Sequence, residues 1–293
     1  AHHQPLALDS SLAEQVKVLT RSHQTLIWTR RRQANLLRST LREFYPGALA
    51  AFGDNLTDRD TVAVLAAAPS PAKGAALTRS RIAAVLRRAG RKRNVDLAAT
   101  RIQTALRTPQ LGLTPGLADA YAATVSAYVA VIGELNKQIE VLDEVVGAHF
   151  GQHPDAQILL SQPGLGPILG ARVLAEFGDA PGRYADAKAR KNYAGTSPIT
   201  RASGLKRVVM ARYARNRRLA DALYLQAFAA LTVSPGARAY YDRHRSAGAT
   251  HHQALRALAN RLVGILHGCL EHHTHYDETL AWQHQPHTGT RAA

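Results

Sequence analysis

The stretch YAATVSAYVAVIGELNKQIEVLDEVV, residues 121–146, decides the fold class. One stripe of its apolar side chains runs Tyr121, Val125, Tyr128, Ile132, Leu135, Ile139, Leu142 and Val146, in alternating steps of four and three. Such steps average about 3.5 residues, the period that keeps one seam of a slightly under-wound helix facing a partner. The spacing predicts a long helix with a coiled-coil seam, and it equally suits a helix in an ordinary bundle. Upstream, Leu12, Val16, Leu19, Leu26, Leu37 and Phe44 form a second helical stripe, which passes the run Arg30-Arg31-Arg32 and stops at Pro46-Gly47. The seam can pair with that helix, with a second copy of the chain, or with both.

Between the two stripes, Pro69, Pro71, Gly74, Gly90 and Pro109 break residues 54–115 into short helices and loops. Charge here is one-sided. Residues 79–107 carry Arg79, Arg81, Arg87, Arg88, Arg91, Lys92, Arg93, Arg101 and Arg107 against the single acid Asp96. A solvated basic face and a phosphate-contacting face both fit, and Arg87, Arg88, Arg91, Lys92 and Arg93 are the candidates for contact. Residues 147–154 read as a linker, and shorter helices with Gly- and Pro-containing turns follow from Gln157. The expected architecture is all-α: a coiled-coil region with a basic insert over 1–151, a compact helical domain over 152–282, and a disordered tail over 283–293. No alternating pattern is long enough for a sheet, although Arg207-Val208-Val209-Met210 suits a short strand.

Lys and Arg outnumber Asp and Glu by 37 to 21, a formal charge of +16 that calls for anionic partners. Nucleic acid is the first candidate, ahead of an anionic membrane surface. Cys269 is the only cysteine, which excludes an intrachain disulfide and a multi-cysteine zinc site and suits a reducing, cytoplasmic setting. No uninterrupted apolar run approaches the roughly 18 residues of a membrane span, so a soluble chain without a membrane partner is expected.

Two segments carry chemistry. Residues 158–174 place an apolar turn, Pro163-Gly164-Leu165-Gly166, and a second helix with Gly170 and Ala171 in the order of a helix-hairpin-helix element. Gly164 and Gly166 would let backbone N–H groups approach a phosphate, Arg172 would add a cation, and Leu165 should point inward to pin the helices. A plain glycine-containing turn is the competing reading. Downstream, Asn192 to Arg207 is a turn-rich loop, and from 201 to 218 Arg201, Lys206, Arg207, Arg212, Arg215, Arg217 and Arg218 face no acid. Ser197, Thr200 and Ser203 lie among these cations, a setting that suits a serine attacking a phosphodiester, while loop serines of purely structural role are common. His267, His272, His273 and His275 lack a carboxylate at ligand spacing, and Tyr240-Tyr241 read as packing residues.

Taken together, Pro163-Gly164-Leu165-Gly166, Tyr193-Ala194-Gly195 with Pro198, Ser203-Gly204, Asn216-Arg217-Arg218-Leu219 and Tyr240-Tyr241 resemble, in this order, the insertion-sequence 110/116/902 transposases. Residues 8–48, ending Leu41-Arg42-Glu43-Phe44-Tyr45-Pro46, also resemble the long helix that follows that family's catalytic domain. The resemblance implies DNA transposition with Ser203 as the nucleophile, guidance by a structured RNA, and a homo-oligomer through the coiled coil. It further implies magnesium held by four acidic residues of an N-terminal ribonuclease-H-like domain. No such carboxylate set precedes Leu12, so the chain reads as the C-terminal part of a longer protein, with no cofactor of its own. Thr196-Ser197 and Ala214-Arg215 depart from the family's usual residues at those turns. The rival reading is a non-catalytic helix-hairpin-helix module that binds DNA in recombination or repair; an inert remnant of a mobile element is a third.

Overall fold

A computed structural model describes residues 8–110, 112–203 and 206–283. Among the described residues the regular structure is helical apart from one short hairpin, and the chain divides into two units. One comprises residues 23–142; the other joins residues 1–22 to 143–293. This differs from the division near residue 152, because the first turns of the N-terminal helix belong with the C-terminal helices rather than with their own sequence neighbours.

In the unit of residues 23–142, most of helix α1 (Ser11–Phe44) runs antiparallel to most of α7 (Pro115–Gly151). Arg30 Nη1 donates to Asn136 Oδ1 at 2.8 Å, Tyr121 donates its hydroxyl to Glu43 at 2.8 Å, and the Phe44 and Tyr121 rings stack at 4.9 Å. The seam is therefore used inside the chain. Val125, Ile132, Ile139 and Val146 are buried and the alternate positions Tyr121, Tyr128, Leu135 and Leu142 half-buried. Alanine and valine fill much of the rest of α7, so it contains an 18-residue window with few charges and a largely apolar composition. By length and composition alone that window is apolar enough to cross a membrane, although Asn, Gln, Gly and acidic residues interrupt any continuous apolar run in α7.

Pro46 does more than end α1. Tyr45 leaves helical geometry, and Pro46 opens α2 (Pro46–Phe52) at its first position, where a missing N–H costs nothing. Short helices α3 (Arg59–Ala67), α4 (Pro71–Ala76), α5 (Arg79–Arg88) and α6 (Val95–Leu106) follow. Leu65, Ile82, Leu86, Ile102 and Leu106 close a core with Leu37, Leu41 and Phe44. Tyr45 is buried in it with its hydroxyl packed onto the bare backbone of Gly74, a position with no room for a Cβ.

In the other unit, α8 (Ala156–Ser161), α9 (Pro167–Phe177), α10 (Ala187–Ala194), α11 (Arg217–Val233), α12 (Pro235–Ser246), α13 (His251–Glu271) and α14 (Glu278–Trp282) surround one core. Phe150, Leu165, Leu174, Phe177, Leu223, Leu258 and Leu262 are central to it. Strands β1 (Ile199–Ser203) and β2 (Lys206–Met210) pair antiparallel, Ile199 with Met210 and Ser203 with Lys206. The second strand covers the segment from Arg207 to Met210; its partner was not evident in the sequence.

Candidate functional site

The hairpin is held at its root from both sides. On the incoming side, α10 is capped by Asp186, whose side chain accepts from Ala189 N at 2.6 Å. It stops at Gly195, where φ is +70°, a left-handed geometry that glycine adopts freely. A Cβ there would collide with the alkyl chain of Arg215, so Gly195 lets the incoming and outgoing segments touch. Tyr193 joins Phe177 and Tyr184 in an aromatic cluster, with the Arg190 guanidinium 4.7 Å from the centre of the Tyr184 ring. Burial lowers the Arg190 pKa. The Tyr-Ala-Gly motif is thus a helix stop aimed at the hairpin.

On the outgoing side, Asn216 caps α11, accepting at Oδ1 from Arg218 N at 3.0 Å and Leu219 N at 3.2 Å. Its Nδ2 donates to Glu176 Oε2 at 2.6 Å. Arg21 donates to the same carboxylate from Nε and Nη2, both at 2.8 Å. Burial alone would raise the Glu176 pKa, yet the bonds from Arg21 and Asn216 outweigh it and hold the carboxyl below its ordinary range. Sequence reading passed over Glu176; the signal was a lone acid closing the apolar run of α9.

The hairpin itself stands clear of the core. All five residues of β1 are exposed, Ser203 at its end among them, and Val208 and Tyr213 are 52% and 84% exposed. Arg201 is exposed beside Ser203, while Ser197 is half-buried at the root. Gly204, Leu205 and the side chains of Lys206 and Arg207 lie outside the described residues. Arg215 and Arg217 are exposed, Arg212 is half-buried with no protein partner for Nε, and Arg218 donates to the backbone oxygen of Arg21 at 3.1 Å.

Two of the expected phosphate contacts sit elsewhere. Arg172 is 6% exposed, with Asp221 4.0 Å away and its pKa lowered by burial, so it is an interior cation rather than a surface one. Gly164 has φ +79°, and a Cβ there would lie 2.5 Å from the Gln226 carbonyl, so this glycine faces α11 and not solvent. Gly166, in contrast, is exposed at the N-cap of α9, and Leu165 points into the core as its place in the turn required. In the other unit, Arg87, Arg88, Lys92 and Arg93 are exposed, whereas Arg91 is held by Asp60 at 2.5 Å. Tyr240 packs on Trp282 and His244, and Tyr241 bonds His251 at 2.8 Å, which accounts for both as packing residues.

Among the described residues, no group of three or more His, Cys, Asp or Glu side chains is placed to hold a metal ion.

Residues 156–242, which include the β-hairpin and the helices α10 and α11 on either side of it, match the family model described as Transposase IS116/IS110/IS902 family. The chain is 44% identical over 283 residues to the IS117 mini-circle protein of Streptomyces coelicolor, covering 96% of this chain and 68% of that one. It is 33% identical to the 42 kDa protein of insertion element IS900 from Mycobacterium paratuberculosis, over 93% of this chain and 68% of the other. The IS110 43.6 kDa protein of Streptomyces coelicolor is 29% identical over 94% and 67%. By class the chain is an insertion-sequence transposase. It belongs to the IS116/IS110/IS902 family.

Proposed function

We propose that the chain handles DNA in transposition and that Ser203 is the nucleophile of strand exchange. The observation that carries this is the placement of Ser203: exposed, at the end of a strand beside Arg201, on a hairpin that no core covers. An isolated two-stranded hairpin is marginal in water, so one so exposed and so cationic calls for a polyanionic partner. The serine oxygen would form a bond to phosphorus while a sugar oxygen leaves, the proton lost by serine being matched by the one the leaving alkoxide gains. The phosphodiester energy is then retained in the serine ester for rejoining. Arginines beside the phosphate would stabilise the extra negative charge of the transition state.

The magnesium-binding carboxylates and the guide RNA implied by the resemblance are supplied, in this reading, by residues and partners other than those described. In this reading two copies pair without Val125, Ile132, Ile139 and Val146 of the seam, which are buried within the chain. A non-catalytic DNA-binding module is the alternative. The test is transposition frequency in cells carrying the insertion sequence that encodes the chain. Ser203→Ala should abolish it and Ser197→Ala should leave it standing; transposition by the Ser203 variant returns the chain to the binding-module reading.

A further inference from the structure

A cavity of about 450 Å³ opens at the root of the hairpin. Its buried lining is apolar, from Ala194, Leu223 and Ala259, and its outer lining is cationic, from Arg215, Arg217 and Arg256. Against these three guanidinium groups stands one lining carboxylate, Asp221. Tyr224 supplies an aromatic ring, held in place by a 2.9 Å hydrogen bond between its hydroxyl and His252 Nδ1. A site for phosphate alone would need only the cations. An apolar interior, a fixed ring and a cationic mouth together suit a ligand that is planar and apolar at one end and anionic at the other.

We propose that this cavity seats one unpaired nucleotide of a DNA strand, its base against Tyr224 and its phosphate among Arg215, Arg217 and Arg256. Two lining residues, Gly195 and Arg215, bracket the hairpin that carries Ser203. Five strand residues span about 17 Å, so the seated nucleotide lies within a short length of the same strand as a phosphate at Ser203. The pocket would hold that strand in register for the attack. The proposal rests on the transposition reading for the choice of DNA, and the cavity chemistry alone for the choice of an unpaired nucleotide.

Fluorescence anisotropy of the chain with a single-stranded thymidine oligonucleotide, and with a strand of equal length made of abasic units, tests it. The base-bearing strand should bind about tenfold more tightly, as stacking of one base on one ring provides. Tyr224→Leu should erase that difference without changing affinity for the abasic strand, Tyr224→Phe should keep it, and Arg256→Gln should weaken both strands. Equal affinity of the native chain for both strands, or a silent Tyr224→Leu, overturns the proposal. So does free thymidine monophosphate binding as tightly as the strand, which would make this a mononucleotide site. Ser203→Ala should leave these affinities unchanged, so failure of the serine chemistry and failure of the pocket are read separately.

Discussion

Nδ2 of Asn216 donates a 2.6 Å hydrogen bond to the buried carboxylate of Glu176, tying the first turn of α11 to the last turn of α9. The same carboxylate takes two bonds from Arg21, so three segments distant in sequence meet at one side chain. The outgoing end of the serine hairpin is fixed through this point.

Glu176→Ala should therefore destabilise the fold by about 1–3 kcal/mol in urea unfolding, the cost of orphaning buried donors, with half-exposed Arg21 limiting the loss. Because the folded carboxyl is held below its ordinary pKa, its contribution is present above the unfolded value near 4.5 and is lost as pH falls through the folded one. Glu176→Gln should flatten stability against pH in that acid window, and an unchanged profile would remove Glu176 from this role.

The two glycines of the turn between α8 and α9, Gly164 and Gly166, should separate by substitution. Gly164→Ala combines a left-handed φ with a collision against the α11 backbone and should cost more than about 1 kcal/mol. Gly166→Ala meets open space at φ −90° and should leave thermal unfolding nearly unmoved. Similar melting temperatures for the two variants would contradict the packing described for the turn.

On α7, neighbouring positions should behave oppositely. Ile132→Asp places a charge at a fully buried site and should unfold the unit of residues 23–142, while Val131→Asp, at a 45% exposed site, should change stability by less than about 0.5 kcal/mol. Circular dichroism during urea titration decides. A well-folded Ile132 variant that merely changes oligomeric state would restore the seam as a contact between copies.

Duplex DNA affinity should fall steeply with salt. Each exposed arginine that meets a phosphate adds roughly one to the slope of log affinity against log salt. Arg87→Gln with Arg88→Gln should lower that slope by about two if both meet phosphates, whereas Arg172→Gln should leave it unchanged because its side chain is interior. A slope insensitive to the surface pair would assign the basic insert to solvation.

Helical content was legible because the Tyr121 to Val146 period and the proline breaks are local signals, and alternate positions of that period, Val125, Ile132, Ile139 and Val146, are the buried ones. The placement of Arg172 was not, since a cation within an apolar helix reads the same whether its head reaches water or Asp221. Gly164 misled for a related reason: glycine marks close backbone approach, but the sequence does not say whether α11 or a phosphate approaches. The unit boundary was hidden because residues 8–22 are joined to α9 through Asp9, which accepts from Asp179 N and Ala180 N, and through Arg21. Such long-range polar contacts leave no periodicity. Ser203 is named by the resemblance, and the cations near it in sequence by charge alone.

The most direct measurement is the mapping of any covalent protein–DNA link formed during strand exchange, in cells carrying the element, by mass spectrometry of nuclease-trimmed peptides. The account predicts a nucleotide attached through the hydroxyl oxygen of Ser203, lost in Ser203→Ala and kept in Ser197→Ala. A link on Ser197, on a tyrosine such as Tyr240 or Tyr241, or strand exchange with no protein link at all would contradict it.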